Sequence, residues 1–368
     1  GLARGGRAVR HGIRVKSSAD SAEDLSPRVP PPRANPDLVG HEAAERELRR
    51  LYEAGRLPHA LLLCGPRGIG KATLAFRLAR FVFAQASGET DGEGLAVQPD
   101  SGVFRRVAAG GHADLLTVER AYDPRRKRLR SEIVVEDVRE IGSFLHLTPA
   151  EGGWRIVIVD GADEMNRSAA NALLKILEEP PRRTLLLLVA HSPGRLLPTI
   201  RSRCRRLPLA PLPGDVLLQL LGRYRPDLAS TDAAAIAGLA SGSIGAALDL
   251  AAAGGLDLHR SLLELMARPR AAELHAFADR LARPDAEESY RLVEELIGQV
   301  LARLARHAAE HAETGDAAIA QLAARAPAAR WAALRDEIGQ NFGRADGLNL
   351  DRKQALLGAF FAVERAAG

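Results

Sequence analysis

From Asn35 to about Ala210 the hydrophobic positions switch between a helical period and short continuous runs. Glu42–Glu53 spaces its apolar residues like a charged amphipathic helix. His59–Cys64 is a short apolar run, followed by a glycine-rich turn and a helical pattern over Ala72–Ala84. Arg155–Asp160 and Thr184–Ala190 are two further runs of β-branched residues and leucine. Such runs, separated by helices, predict a parallel sheet covered on both faces. Ser87–Ser101, rich in glycine and acid, and Asp123–Arg130, rich in arginine, read as exposed loops. After Pro213 the strand patterns stop, and Ala/Leu/Arg/Glu helices run to the end, broken by Gly-Ser and Arg-Pro dipeptides. The fold class expected is therefore an α/β first half followed by an all-α second half.

Residues 1–35 read as a disordered basic tail. They hold Arg4, Arg7, Arg10, Arg14 and Lys16 without an acid, then a serine-rich stretch, then Pro30-Pro31-Pro32. An organelle transit peptide has a similar composition, but a solvated tail accounts for it more simply. No signal-peptide apolar core follows, so secretion is not expected.

The chain has 368 residues, 46% hydrophobic and 26% charged, which allows two or three domains and excludes whole-chain disorder. No apolar run approaches the roughly 18–20 residues that span a bilayer, so a soluble protein without a membrane role is expected. Two cysteines, Cys64 and Cys204, rule out a disulfide framework or a cysteine-based zinc module and fit a cytoplasmic setting. Both are expected to be small buried residues. The formal charge of +5 invites a nucleic-acid reading. It divides into +4 for residues 1–35, +5 for 36–210 and −4 for 211–368, so the chain is polarised. Only five of the 51 basic residues are lysine, which gives weight to a lysine at a chemically demanding place.

Lys71 is at such a place. Gly65-Pro-Arg-Gly68-Ile-Gly70-Lys71-Ala72-Thr73 follows the first strand pattern and opens a helix. Backbone N–H groups of such a turn cradle phosphates, and the lysine reaches the β/γ-phosphates. ATP is the ligand expected, with Gly65, Gly68, Gly70, Lys71, Thr73 and Asp160 as its binding residues. Ala72 replaces the Ser or Thr whose hydroxyl holds Mg²⁺, and Thr73 lies about 100° further round the helix. Ordinary Mg²⁺ handling is therefore not expected. Asp160 ends the second strand, where a carboxylate holds the metal's hydration shell. Gly161 stands where a Glu would activate water, and Asp163 and Glu164 follow too late to replace it.

The segment Pro198–Arg206 places Arg201, Arg203, Arg205 and Arg206 at a loop tip. A solvated patch and an arginine offered to a phosphate both fit.

Several segments carry a resemblance. Leu38-Val-Gly-His-Glu, Pro58-His-Ala, the glycine-rich turn, Val159-Asp-Gly-Ala-Asp-Glu-Met, Asn171–Pro181 and Ser202-Arg203-Cys204 are similar to bacterial clamp-loader subunits of the AAA+ class. Within that family the chain resembles the delta-prime branch, including the closing Asn349-Leu-Asp-Arg-Lys-Gln. The resemblance covers about 36–368. It implies an α/β P-loop domain with a RecA-like parallel sheet over 36–210, a helical lid over 211–255 and a helical collar for oligomerisation over 256–368. It further implies that Arg203 is an arginine finger for a neighbour's ATP, that His191 sits near the sensor-1 position, and that Gly245 stands where a sensor-2 arginine is usual. The partners implied are the delta and tau/gamma subunits of the DNA polymerase III holoenzyme, and through them the sliding clamp and primed DNA. With the metal hydroxyl, the acid after Asp160 and the sensor-2 arginine all missing, the resemblance implies a subunit that assists hydrolysis without performing it. Some members carry a four-cysteine zinc module, but the corresponding stretch here, about Ser87–Gly111, has no cysteine, so no zinc is expected.

Two rival readings remain open: an autonomous ATPase, such as a tau/gamma-type motor or a helicase loader, and an adaptor without nucleotide binding. Two further patterns are weaker. His307-Ala-Ala-Glu310-His311 matches H-x-x-E-H, but its low-complexity helix offers no clear third ligand, so a solvated face is expected. The Arg125–Arg130 cluster lacks interleaved aromatics, so a surface charge run fits better than base stacking.

Overall fold

The computed structural model describes residues 29–89, 94–123, 128–150, 153–252, 254–310, 317–348 and 350–368. Residues 1–28, the 124–127 part of the arginine-rich cluster, His311 and Asn349 lie outside the described residues.

Seven strands form in chain order: β1 (Ala60–Cys64), β2 (Leu115–Val118), β3 (Tyr122–Asp123), β4 (Arg128–Leu129), β5 (Arg155–Asp160), β6 (Thr184–Ala190) and β7 (Arg205–Pro208). Five make one sheet in the order β2-β5-β6-β1-β7, with every neighbouring pair parallel. The apolar runs of β1, β5 and β6 are its central strands. Their alternate residues face two cores: Leu61, Leu63, Ile158 and Leu187 on one side, and Leu62, Val159, Leu186 and Leu188 on the other. Burial on both faces explains why these strands read as continuous hydrophobic runs. β2 and β7 lie at the edges. Arg205-Arg-Leu-Pro208 lacks an apolar run because only Leu207 of the four is buried, and a proline is tolerated at a sheet edge.

Helices α1 (Glu42–Glu53), α2 (Lys71–Ser87) and α3 (Gly102–Ala108) serve the first core. Helices α4 (Val135–His146), α5 (Arg167–Glu178) and α6 (Pro198–Arg203) serve the second. Two loop expectations change. Pro198–Arg206 is not a loop tip but a short helix running into an edge strand, because Ile200 and Cys204 are buried in the second core. Described residues beside the Asp123–Arg130 cluster form antiparallel arms, with Tyr122 opposite Leu129 and Asp123 opposite Arg128.

Residues 29–35, assigned from composition to the tail, are packed. Pro32–Ala34 form a 3₁₀ turn against α2 and α3. Arg80 of α2, 1% exposed, donates to the carbonyls of Arg33 (2.9 Å) and Asn35 (2.7 Å) and lies 4.6 Å above the Phe104 ring. Burial pushes its guanidinium down to about 10, and backbone carbonyls rather than a carboxylate satisfy it. Arg77 adds bonds to the Pro36 carbonyl and the Glu45 carboxylate. Composition missed this because the ordering partner is 45 residues away in sequence.

The second half comprises α7 (Gly214–Tyr224), α8 (Ser230–Leu239), α9 (Ile244–Ala252), α10 (Gly255–Ala267), α11 (Ala271–Leu281), α12 (Glu287–Glu310), α13 (Ala317–Ala323), α14 (Ala328–Leu348) and α15 (Arg352–Ala367). One apolar core extends from Leu212 to Val363, with Trp331 and Tyr290 enclosed. No helix of the described residues is long and apolar enough to cross a membrane.

Glu294 of α12 lies in this half beside Tyr290, with Asp346 of α14 adding a like charge and Arg291 and Arg352 opposing it. Burial first, then Asp346, raises its carboxyl from about 4.5 to about 7. The folded state therefore holds a proton that the unfolded chain loses across that window, and stability falls as pH rises from about 4.5 to 7. Glu294→Gln is expected to flatten this slope in urea titrations at pH 5, 6 and 7. An unchanged slope would show that another group sets it.

Candidate functional site

In an open parallel sheet, ligands bind outside the carboxyl ends of strands where the strand order reverses. Here that point lies at β1, between β6 and β7. The turn Gly65–Gly70 leaves β1 there, and α2 starts at Lys71 with Gly70 as its N-cap. Gly68, Gly70, Lys71, Ala72, Thr73, Asp160 and His191 all line one cavity of about 310 Å³. Its outer walls come from Pro30 and Pro32 of the N-terminal segment and from Tyr224, Ile244 and Leu248 of the helical half. The fold thus brings the residues expected for ATP around one concavity. Gly65 does not line it; its carbonyl accepts from Lys71 Nζ at 2.7 Å.

Lys71 is 3% exposed and donates to the carbonyls of Gly65 and Pro66. The loop's own oxygens thus hold the ammonium. Burial pushes it down to about 8, opposed chiefly by Asp160 and Asp163. Burial first, then Glu119, raises the Asp160 carboxyl to about 6 against the opposing charge of Lys71. Burial also pushes His191 down to about 4, with Lys71 acting in the same direction. The imidazole is therefore neutral near pH 7 and adds no positive charge for phosphate. Ala72 lines the cavity where a metal-binding hydroxyl is usual, and Thr73, though buried, lines it as well. The backbone turn and Lys71 suit a nucleotide phosphate, and Asp160 suits a metal's hydration shell rather than the anion itself. Position 72 does not suit the usual Mg²⁺ ligand.

The acid missing after Asp160 has a backbone reason. Gly161 has φ +81°, a conformation that side-chain-bearing residues rarely adopt. The two acids that follow have other tasks. Asp163 is buried and accepts from the backbone N–H groups of His191 (3.0 Å) and Ser192 (2.7 Å), tying the turn after β5 to the turn after β6. Glu164 pairs with Arg120 at 2.8 Å. Asp163→Ala leaves two inward N–H groups without their acceptor, so a loss of about 1–3 kcal/mol is expected in chemical denaturation. A loss below about 0.5 kcal/mol would mean that water replaces the carboxylate.

Gly245, at the expected sensor-2 position, touches the P-loop itself. Its N–H donates to the Gly68 carbonyl at 3.0 Å, and a Cβ on it would stand 2.9 Å from Gly68 Cα. Ser243 Oγ donates to the Arg67 carbonyl at 2.8 Å and accepts from Ala246 N–H at 3.0 Å. On the opposite side, His41 Nε2–H donates to the Ile69 carbonyl at 2.6 Å. His41 and Ser243 were missed as P-loop contacts. His41 lies in the Leu38–Glu42 segment that carries the resemblance and Ser243 two residues before Gly245, but nothing local shows that their side chains meet a loop 28 and 176 residues away.

Arg203 does not line this chain's own cavity. It closes α6, where Nη2 pairs with Glu178 at 2.7 Å and Nη1 donates to the Thr199 carbonyl at 3.1 Å. Cys204 is buried as expected, whereas Cys64, at the end of β1, is only half-buried. Among the described residues no three metal-ligating side chains converge.

Residues 40–213 match the family model described as DNA polymerase III, delta subunit. The chain is 42% identical over 172 residues to DNA polymerase III subunit delta' of Pseudomonas aeruginosa, covering 46% of this chain and 48% of that protein. It is 35% identical over 201 residues to subunit delta' of Escherichia coli, covering 54% and 56%. It is also 33% identical over 187 residues to subunit gamma/tau of Mycobacterium tuberculosis, covering 51% and 30%. The chain thus spans about half the length of the delta' relatives it matches. The likeness to delta' that the motifs imply is shown over that stretch.

Proposed function

We propose, from the likeness to delta' subunits, that this chain is a delta-prime-type subunit of a DNA polymerase III clamp loader. It would assemble with delta and tau/gamma subunits, assist ATP-driven loading of the sliding clamp onto primed DNA, and supply Arg203 to a neighbour's nucleotide. It would not hydrolyse ATP itself. The domain assignment that goes with this is a P-loop domain over 36–210, a lid over 211–255 and a collar over 256–368.

The observation that carries the non-hydrolysing role is the seating of Gly245 on Gly68. Where a sensor-2 arginine would reach phosphate, the backbone of α9 is hydrogen-bonded to the P-loop and has no space for a side chain. The methyl of Ala72, which lines the cavity where a hydroxyl is usual, and the left-handed backbone at Gly161, next to the lining residue Asp160, support the same reading. An arginine finger supplied in trans contributes about 10³–10⁵ in rate, so a subunit that only donates one still has a mechanistic role.

Steady-state ATPase measurements on the purified chain, with and without primed DNA, test this. Turnover at background level is expected, and robust turnover by the chain alone would sink the assisting role. That outcome would favour the autonomous ATPase, a reading supported by the gamma/tau likeness and by Lys71 and Asp160 in one cavity. Nucleotide binding is a separate question. In titrations with a fluorescent ATP analogue, Lys71→Ala is expected to weaken binding at least tenfold, because it removes the buried ammonium at the end of the turn and leaves Arg67 as the turn's cation. Equal signals from both proteins would instead favour an adaptor that binds no nucleotide.

A further inference from the structure

Glu178 is the last residue of α5, followed by Glu179 and Pro180-Pro181. A carboxylate there faces the partial negative charge of the helix's unpaired carbonyls, which is unfavourable. Helix formation therefore gives no reason for an acid at this position, and its contact does. Glu178 Oε1 holds Arg203 Nη2 at 2.7 Å, across the packed ends of α5 and α6. The two prolines cannot continue the helix, so α5 stops with Glu178 beside α6. On its other side, Arg203 Nη1 donates to Thr199 O at 3.1 Å, one turn back along α6.

Two nitrogens of the guanidinium are thus anchored within the chain, while the side chain remains 37% exposed. Arginine offers five N–H donors in a rigid fork. Two carry these contacts, which leaves donors for an anion outside the chain. A flexible arginine must be ordered each time it meets a phosphate, whereas one held at both sides has already lost that freedom.

We infer that Glu178 is a positioning residue that presets Arg203 for the triphosphate of a neighbouring subunit. This rests on the reading of Arg203 as a finger. Glu178 does not line this chain's own cavity. It acts through the guanidinium alone, holding it at the exposed end of α6 before the neighbour arrives.

The test uses the full chain reconstituted with its clamp-loader partners and reads kcat and KM for ATP beside subunit co-elution. Glu178→Ala is expected to lower kcat about three- to tenfold, the cost of ordering one long side chain. KM should stay unchanged, because the neighbour binds the ATP. Glu178→Gln, whose amide oxygen still accepts from Nη2, should recover most of the rate. In an Arg203→Ala background, Glu178→Ala should cause no further loss, as expected for a residue that acts only through Arg203. Full rate with Arg203→Ala would remove the finger reading and this inference with it. A low rate with Arg203→Ala but a normal or raised rate with Glu178→Ala would remove the positioning role alone. Further loss in the Arg203→Ala background would show a general structural role and overturn the inference. Should the alanine variant not co-elute with its partners, Glu178→Asp carries the comparison. It keeps the charge but shortens the reach, and should lose rate only where Arg203 is present.

Discussion

Replacing Arg203 by alanine is expected to lower ATP turnover at the interface it faces by about 10³-fold or more, with no change in the isolated chain. The expectation follows from where the side chain is. Arg203 closes α6, away from the residues lining this chain's own cavity, and remains 37% exposed beyond its contacts with Glu178 and Thr199. It is thus anchored within the subunit at a place outside the subunit's own cavity. Developing charge on a transferring phosphoryl group is stabilised best by a planar, permanently charged donor fork. A lysine at the same place supplies a point charge without the fork and should recover little of the loss. Arg205, two residues on in the edge strand β7 and paired with Glu47 of α1 at 2.6 Å, is the control, an exposed arginine outside the Ser202-Arg203-Cys204 motif. Arg205→Ala should leave turnover within about twofold, the small effect usual for an exposed ion pair. A reconstituted complex that hydrolyses ATP at full rate without Arg203 would show that the finger lies elsewhere.

The second large effect is on the fold. Gly245→Ala is expected to destabilise the protein by about 1–3 kcal/mol, and Gly245→Arg by more. The added carbon would stand 2.9 Å from Gly68 Cα, a backbone atom that has no rotamer by which to move aside. Either α9 withdraws and gives up the bond from Gly245 N–H to Gly68 O, or the P-loop shifts. Gly238 of α8, with nothing within 4 Å of a built Cβ, is the contrast. Gly238→Ala should stabilise by roughly 0.5–1 kcal/mol through helix propensity alone. Urea denaturation of the three variants reads both signs. ATPase assays on Gly245→Arg address function: no gain in turnover is expected, because the residue borders a P-loop face already closed by backbone. If Gly245→Arg were stable and hydrolysed ATP, α9 would have to be free to leave the P-loop, and the assisting role would need revision.

The parts of this site legible in the sequence are those whose meaning is local. Gly65–Lys71 between an apolar run and a helical pattern marks a phosphate-binding turn, since strand, turn and helix follow one another along the chain. Arg155–Asp160 and Thr184–Ala190 were readable because strands covered on both faces are apolar throughout. The edge strands β2 and β7 were not, since β2 is only four residues long and β7 holds two arginines and a proline. The N-terminal segment looked like tail because prolines and arginines dominate it. Only the distant Arg80 and Arg77 show why residues 29–36 are ordered.

The sequence by itself determined an α/β P-loop half followed by a helical half, the candidate nucleotide residues, and three gaps in the hydrolytic set. The two halves, the nucleotide residues and the gaps at Ala72 and Gly161 follow from hydrophobic period and from spacing within single segments, whereas the gap at Gly245 follows from the resemblance alone. The tertiary structure alone decided what stands at the gaps. Gly161 has a left-handed backbone, and Gly245 lies against Gly68, 177 positions earlier in the chain. It alone showed Lys71 bonded to its own loop, Asp163 tying two strand ends together and Glu178 holding Arg203. Apart from the Lys71 contact, which reaches six residues back, these contacts join residues at least 25 positions apart. Residue type shows what a side chain can bond to, whereas the packing of elements decides which partner lies within about 3 Å.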